Sequence, residues 1–286
     1  MSDDFQRRLV SEKDVPPNIR ARIQRMQRDR DTWQELAGKI EDVLYVDEIR
    51  TEADSGNVDS QIKYADICMY GLFGLSPSPE TAVEYYTLAA KTGNVKAQVR
   101  LADCYFDGTG VVQDYSEAVK WYREASRQGN SDAKTSLAIC YQNGNGVAQD
   151  IDTAIILYTA AANDGDPLAQ FNLSDCYALG KGVAENMNEA IKWLKKSAEQ
   201  NFPPAQTILG MLYINGDGVE QNFDKGLELL NAAVAQGDVN ALGVLGALYC
   251  KGIGVAQDME KGLEILNRAA DLGSEEAITL LEQLDA

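Results

Sequence analysis

The 286 residues include no histidine. That absence removes zinc sites built on imidazole, Ser-His-Asp and Cys-His nucleophile pairs, and the commonest general base at neutral pH. No run of about 18 apolar residues is present to cross a bilayer. The first thirty residues are too polar and charged to hold the apolar stretch of a secretory signal, so a cytoplasmic protein without membrane insertion is expected. Basic side chains are scarce, with 26 Lys and Arg against 44 Asp and Glu and a net charge of −18. The deficit is uneven: residues 1–33 hold eight basic and six acidic side chains, and the rest of the chain holds 18 against 38. Such a body repels nucleic-acid phosphates and anionic lipid, which argues against a nucleic-acid partner and suits either solubility or a basic protein or peptide. A phosphate loop of the Gly-x-x-x-x-Gly-Lys-Ser/Thr type is missing, and no cofactor or metal is expected.

What the chain does have is a period. Tyr105, Tyr141, Tyr177, Tyr213 and Tyr249 fall 36 residues apart, each followed by a glycine three on, a second five on and a valine six on. A looser unit precedes them, with Ala65 and Gly71 offset by 37 from Ala102 and Gly108, so one residue is inserted in its loop. Repeats of this length mean a solenoid, because a single unit cannot bury its own apolar face and must stack on its neighbours.

Residues 94–129 serve as the type unit. Asn94 stands at an N-cap, as do Asn130, Asp166, Asp238 and Ser274 in later units, and Ala97, Leu101, Ala102 and Tyr105 keep the three-and-four spacing of a buried helical face. Alanine, serine or glycine recurs at 102, 138, 174, 210 and 246, which requires closely packed helices. The glycine pair after the tyrosine ends this helix. Asp114, Asp150, Asn186, Asn222 and Asp258 recur as the next N-cap, and Asp114 with Glu117, like Asn186 with Glu189, has a capping-box spacing. A second helix follows, carrying Ala118, Trp121, Tyr122 and Ala125 on its packed face and ending at Gly129. The expected fold is therefore all-α, a solenoid of helix-loop-helix repeats.

From Ala97 to Tyr122 the pattern Ala-Gln-x-x-Leu-Ala-x-x-Tyr-x-x-Gly-x-Gly-Val-x-x-Asp-x-x-x-Ala-x-x-Trp-Tyr resembles the Sel-1-like repeat, a relative of the tetratricopeptide repeat with a longer loop between its helices. The resemblance covers roughly residues 54–286 and implies a right-handed α/α superhelix used to hold other proteins. The expected organisation is an N-terminal helical segment at 1–52, as cap or docking arm, and a solenoid of about six repeats plus a C-terminal capping helix at 53–286. Cysteine-rich members of the family carry two cysteines per repeat for bridging. Here Cys68, Cys104, Cys140 and Cys176 come one per unit, 36 apart. Stacking separates them by roughly 8–10 Å, beyond the ~7 Å between Cα atoms that a disulfide tolerates, so buried small-hydrophobe roles are expected.

In the N-terminal segment Ile19, Ile23, Met26, Arg30, Trp33, Ala37, Ile40 and Leu44 alternate steps of four and three, a heptad seam along one helix. It suits either a cap on the first repeat or dimerisation and docking, with Arg20, Arg22, Arg25 and Arg28 on its outer side. One coincidence needs weighing: Ser60-Gln-Ile-Lys63 and Lys91-Thr92-Gly93 match two of three signatures of serine β-lactam-reactive enzymes, yet the third is missing and Thr92-Gly93 reads as a helix stop. No catalytic site is expected.

In the tetratricopeptide fold the inner face is lined by the first helix of each unit, at positions equivalent here to 96, 99, 103, 106 and 107. That resemblance nominates Ile62, Asp66 and Met69; Val99, Asp103 and Phe106; Ile139; Phe171 and Asp175; Met211 and Ile214 as partner-binding residues. An exposed face of this kind, apolar with spaced carboxylates, suits a peptide or helix with apolar anchors and a basic residue; tight curvature would instead bury the same side chains as core. The expected function is a protein-interaction scaffold, with an immunity or inhibitor protein as the alternative and a β-lactam-reactive enzyme centred on Ser60 as a third.

Overall fold

A computed structural model describes residues 41–284, and among the described residues every regular element is a helix. The chain divides into two compact units, one of residues up to Ala97 together with Gly108–Val112, the other of Gln98–Asp107 and everything from Gln113 onward. The expected seam over residues 19–44 lies outside the described residues except at its last turn.

The first unit contains α1 (residues 41–54), α2 (Val58–Tyr70) and α3 (Pro79–Lys91), and its boundary falls inside α4 (Val95–Asp107). Helix α1 is docked through Val46, Ile49 and Ala53, all buried. Polar bonds fix its register: Gln61 Nε2 donates to the Ala53 carbonyl at 3.2 Å, and the hydroxyls of Ser60 and Tyr85 donate to Glu52 and Asp54. Asn57 caps α2 by accepting from the Ser60 N–H, and α3 starts on Pro79, whose missing donor costs nothing in a first turn. The loop carrying the inserted residue holds Phe73 at φ 54°, a left-handed conformation that bulky side chains rarely adopt.

The second unit continues through α5 (Tyr115–Arg127), α6 (Ser131–Asn143), α7 (Ile151–Asn163), α8 (Pro167–Leu179), α9 (Met187–Glu199), α10 (Pro203–Asn215), α11 (Phe223–Ala235), α12 (Val239–Lys251), α13 (Met259–Asp271) and α14 (Glu275–Leu284). Every helix from α5 to α13 has 13 residues, so the sequence period is a structural one. Asn130, Asp166 and Asp238 cap first helices, and Asp114, Asp150, Asn186, Asn222 and Asp258 cap second helices.

The capping box is only half used. Asp114 accepts from the Glu117 N–H, but its own N–H donates to the Tyr105 carbonyl at 2.9 Å, so Glu117 has nothing to return to and pairs with Lys120 instead. The same loop-closing bond recurs from Asp150 to Tyr141, Asn186 to Tyr177, Asn222 to Tyr213 and Asp258 to Tyr249. A glutamine one residue earlier adds a second lock, with Gln113 donating to the Phe106 carbonyl and Gln149, Gln221 and Gln257 doing likewise in their loops.

The two glycines of each loop do different work. Gly144, Gly180, Gly216 and Gly252 are left-handed C-caps. The second glycine lies against the preceding unit: a Cβ on Gly146 would come within 2.3 Å of the Tyr115 carbonyl oxygen, and one on Gly254 within 2.8 Å of the Phe223 ring. The residue that begins the second helix of the preceding repeat, Tyr115, Ile151, Met187 or Phe223, lies against this glycine. The small position at 210 and 246 also acts through contact, since a Cβ there would stand 3.0 and 3.1 Å from the carbonyls of Gly226 and Gly262. The helix pairs α10/α11 and α12/α13 approach backbone to backbone.

Candidate interaction surface

The nominated residues separate by position within the repeat. In the first unit Ile62 is buried, Met69 is half-buried, and Asp66 accepts from the Tyr86 hydroxyl and pairs with Lys96 at 3.3 Å. In the second unit the 106-type position turns toward its own second helix. Ile214 is buried with Leu230 and Ala233, and the absence of a side chain at Gly226 makes room for it; Cys250 fits against Gly262 in the same way. Phe106, half-buried, stacks edge-on against Tyr115 at 5.1 Å and Tyr122 at 6.4 Å. This register position, two residues before the glycine that ends the first helix, packs within the repeat against the incoming second helix.

The nominated carboxylates are engaged as well. Asp103 accepts from the Tyr122 hydroxyl at 2.7 Å; burial pushes its pKa up and that hydrogen bond pulls it partly back. Asp175, exposed, pairs with Lys181 at 3.0 Å. In the next repeat Ile139 stands at the Asp103 register, and the equivalent tyrosine, Tyr158, donates instead to Gln142 of the 106-type position at 2.8 Å, a second brace within one repeat.

An open groove remains on α8, α10 and α12. Phe171, Ile208, Met211 and Val244 line a cavity of about 300 Å³, with Asp238 and Glu276 at its polar margin. Ile208 and Met211 are 44% and 40% exposed, high for branched and thioether side chains on well-packed helices. Phe171 is held by Phe202, their ring centroids 5.6 Å apart. Thr207 beneath them is buried and donates to Asp238 at 3.1 Å, while Asp238 also accepts from the Ala241 N–H, so that carboxylate is fixed from two sides. Val99 and Ile139, half-buried on earlier repeats, do not line this cavity. Neither does Asp175.

Sequence reasoning missed Ile208 and Val244, one residue after the 99-type position. Their signal was the break in polarity at that register, where Arg100, Ser136 and Asn172 give way to apolar residues. It also gave no role to a glutamine ladder. Gln128, Gln200 and Gln236, at the ends of second helices, donate to Gln98, Gln170 and Gln206 on the first helices of their own repeats at 2.8, 2.8 and 2.9 Å. Gln170 also donates to the Ala162 carbonyl of the preceding repeat.

The hydroxyls of the two β-lactam-type motifs are both spent on neighbouring acceptors. Ser60 is buried with its hydroxyl given to Glu52, and Thr92, at a helix end, gives its own to the Ala89 carbonyl. Among the described residues no cluster of three or more carboxylates and thiols is placed to hold a metal, and no helix is long and apolar enough to cross a membrane.

A family model described as Sel1 repeat matches residues 58–94, 95–130, 131–166, 167–202, 203–238 and 240–274. A solved Sel1 repeat protein from Oxalobacter formigenes is 31% identical over 76% of this chain and 89% of its own, with a TM-score of 0.71. A protective antigen present in uropathogenic Escherichia coli strains, displaying an SLR fold, is 29% identical with a TM-score of 0.68. The match covers 81% of this chain but 50% of the antigen, so the chain spans half the length of that relative. An immunity protein from Pseudomonas aeruginosa, 19% identical over 77% of this chain and 82% of its own, shares the fold with a TM-score of 0.55. No curated protein matches the sequence.

Proposed function

This chain belongs to the Sel1 repeat family, and from that premise we propose that it is a non-enzymatic scaffold whose second unit captures a protein partner in the groove on α8, α10 and α12. The observation that carries this reading is the exposure of Ile208 and Met211 beside Phe171 and Val244 around a cavity of about 300 Å³. Apolar side chains left open in a concave surface lose the stabilisation that burial supplies, about 25 cal/mol per Å², and a partner's anchors restore it. Asp238 and Glu276 at the margin, within a chain of net charge −18, favour a partner segment that places a Lys or Arg next to its apolar anchors.

The test is selection of displayed peptides on the purified protein. Enriched sequences are expected to share two or more apolar anchors and a basic residue. Ile208→Asp and Met211→Asp are each expected to weaken binding about thirty-fold, the scale of a central hot spot, with the melting temperature nearly unchanged because both side chains are exposed. Absence of enrichment, or variants that bind as the parent does, sinks the reading. Phe106 is a poor probe, since its ring is part of the packing with Tyr115 and Tyr122.

A further inference from the structure

The loop between α2 and α3 departs from the equivalent loops of later repeats. Residues 70–79 carry no charged side chain. Tyr70, Leu72, Phe73 and Leu75 are between 40% and 58% exposed. At the register of Leu72 later repeats hold Thr109, Asn145, Lys181 and Asp217, and Ile253 is the one apolar residue there. A helix-loop-helix repeat therefore forms without apolar side chains at this place, and packing does not account for them.

Hydrogen bonds make the loop a fixed projection. The Leu72 N–H donates to the Ile67 carbonyl at 3.1 Å, and the Leu75 N–H to the Leu72 carbonyl at 3.2 Å, closing a four-residue turn. Phe73 and Gly74, its central pair, are at φ 54° and 78°, the hand of a type I′ turn, whose first central position is ordinarily Asn, Asp or Gly. After the turn the chain folds back closely: a Cβ on Gly71 would come within 2.7 Å of Pro77, and the Ser78 N–H donates to the Cys68 carbonyl at 2.7 Å. The Phe73 ring lies against Tyr45 of α1, the centroids 5.1 Å apart. A phenylalanine thus stands strained at the tip of a tight turn, and strain of this kind concentrates at functional sites.

We propose that this turn is a second interaction surface, carried by the first unit alone, which seats Phe73 in an apolar cleft of a folded partner protein whose rim carries Lys or Arg. A turn tip is convex, so the concavity comes from the partner, which excludes a short peptide as occupant. The fixed backbone lowers the ordering cost of binding, and a large aromatic ring makes an effective anchor. Charge chooses the rim. Helix α1 holds six carboxylates against one arginine, Arg50, and that arginine pairs with Asp54 at 3.8 Å. Glu41 and Glu48, one helical turn to either side of Tyr45, are exposed. A second copy of the chain, or an anionic lipid surface, would set negative charge against this helix, whereas a cleft rimmed by Lys or Arg complements it.

The test offers the full chain to a displayed library of one small folded domain with randomised cleft residues. Most enriched domains are expected to combine an apolar cleft floor with a basic rim. Phe73→Asn weakens their binding about thirty-fold, the loss of a central anchor. It does not lower the melting temperature, because Asn followed by Gly74 suits the turn. Leu75→Asp weakens binding as well, and Ile208→Asp, which tests the groove of the second unit, leaves it unchanged. The proposal is overturned if no domain enriches, if the enriched rims are neutral or acidic, or if the Phe73→Asn variant binds as the parent does. Two further outcomes overturn it by naming another occupant. One is a dimer of the full chain in sedimentation equilibrium that Leu75→Asp dissolves. The other is a Leu75→Cys thiol that resists labelling in the native full chain, whose five natural thiols are buried.

Discussion

At the scale of the residue, the five cysteines show how a repeat uses a reactive side chain as filler. All five are free and buried. Burial pushes the thiols of Cys104, Cys140 and Cys176 up to about 11, with neighbouring aspartates adding to the shift at Cys104 and Cys176. A raised folded-state pKa means that the unfolded chain ionises first. The stability these thiols contribute is complete below the ordinary thiol pKa of 9.0 and is lost as pH rises through about 11. The melting temperature is thus expected to fall across that interval, with a shallower slope in the triple Cys→Ala variant. The buried hydroxyls of Tyr122 and Tyr158, also shifted upward by burial, keep the slope from vanishing. A thiol reagent should leave the native protein unmodified at neutral pH and label all five sites after denaturation. Prompt labelling of the native state contradicts the burial described here.

At the scale of the element, the helix-loop-helix unit was legible in the sequence because its signals are local: cap residues, the glycine pair and the three-and-four spacing of Leu101, Ala102 and Tyr105. The capping box read from Asp114 and Glu117 was legible only in part, since the N–H of Asp114 is taken by the Tyr105 carbonyl in a loop bond that no local pattern announces. The glutamine ladder and the 106-type packing were hidden for the same reason, because their partners lie on other helices. The difference between glycines of one loop type and another is measurable. Gly129 is at φ 92° with open space around it, and Gly146 at φ 70° faces the Tyr115 backbone. Gly129→Ala is expected to cost about 1 kcal/mol, the strain of the left-handed region alone. Gly146→Ala is expected to cost about 3 kcal/mol or more, since backbone must move as well. Equal losses in chemical denaturation would show that the contact between repeats is loose.

At the scale of the whole molecule, the sequence nominated the first helices as the binding side, and the acidic residues it nominated there have partners within the chain. Asp66 and Asp103 accept tyrosine hydroxyls and Asp175 is paired with Lys181, whereas Phe171 and Met211 do line the open groove. A tyrosine hydroxyl and its acceptor lie about 20 residues apart, so the engagement appears only when the two helices are placed side by side. The groove on α8, α10 and α12 is the proposed partner site. Methyl NMR of the protein titrated with a selected peptide tests it most directly. The Met211 and Ile208 methyl resonances are expected to shift and to show contacts to the peptide's apolar anchors, while those of Met187 and Met259, exposed at the starts of second helices, stay in place. Shifts at Met187 or Met259 with Met211 and Ile208 unmoved contradict it.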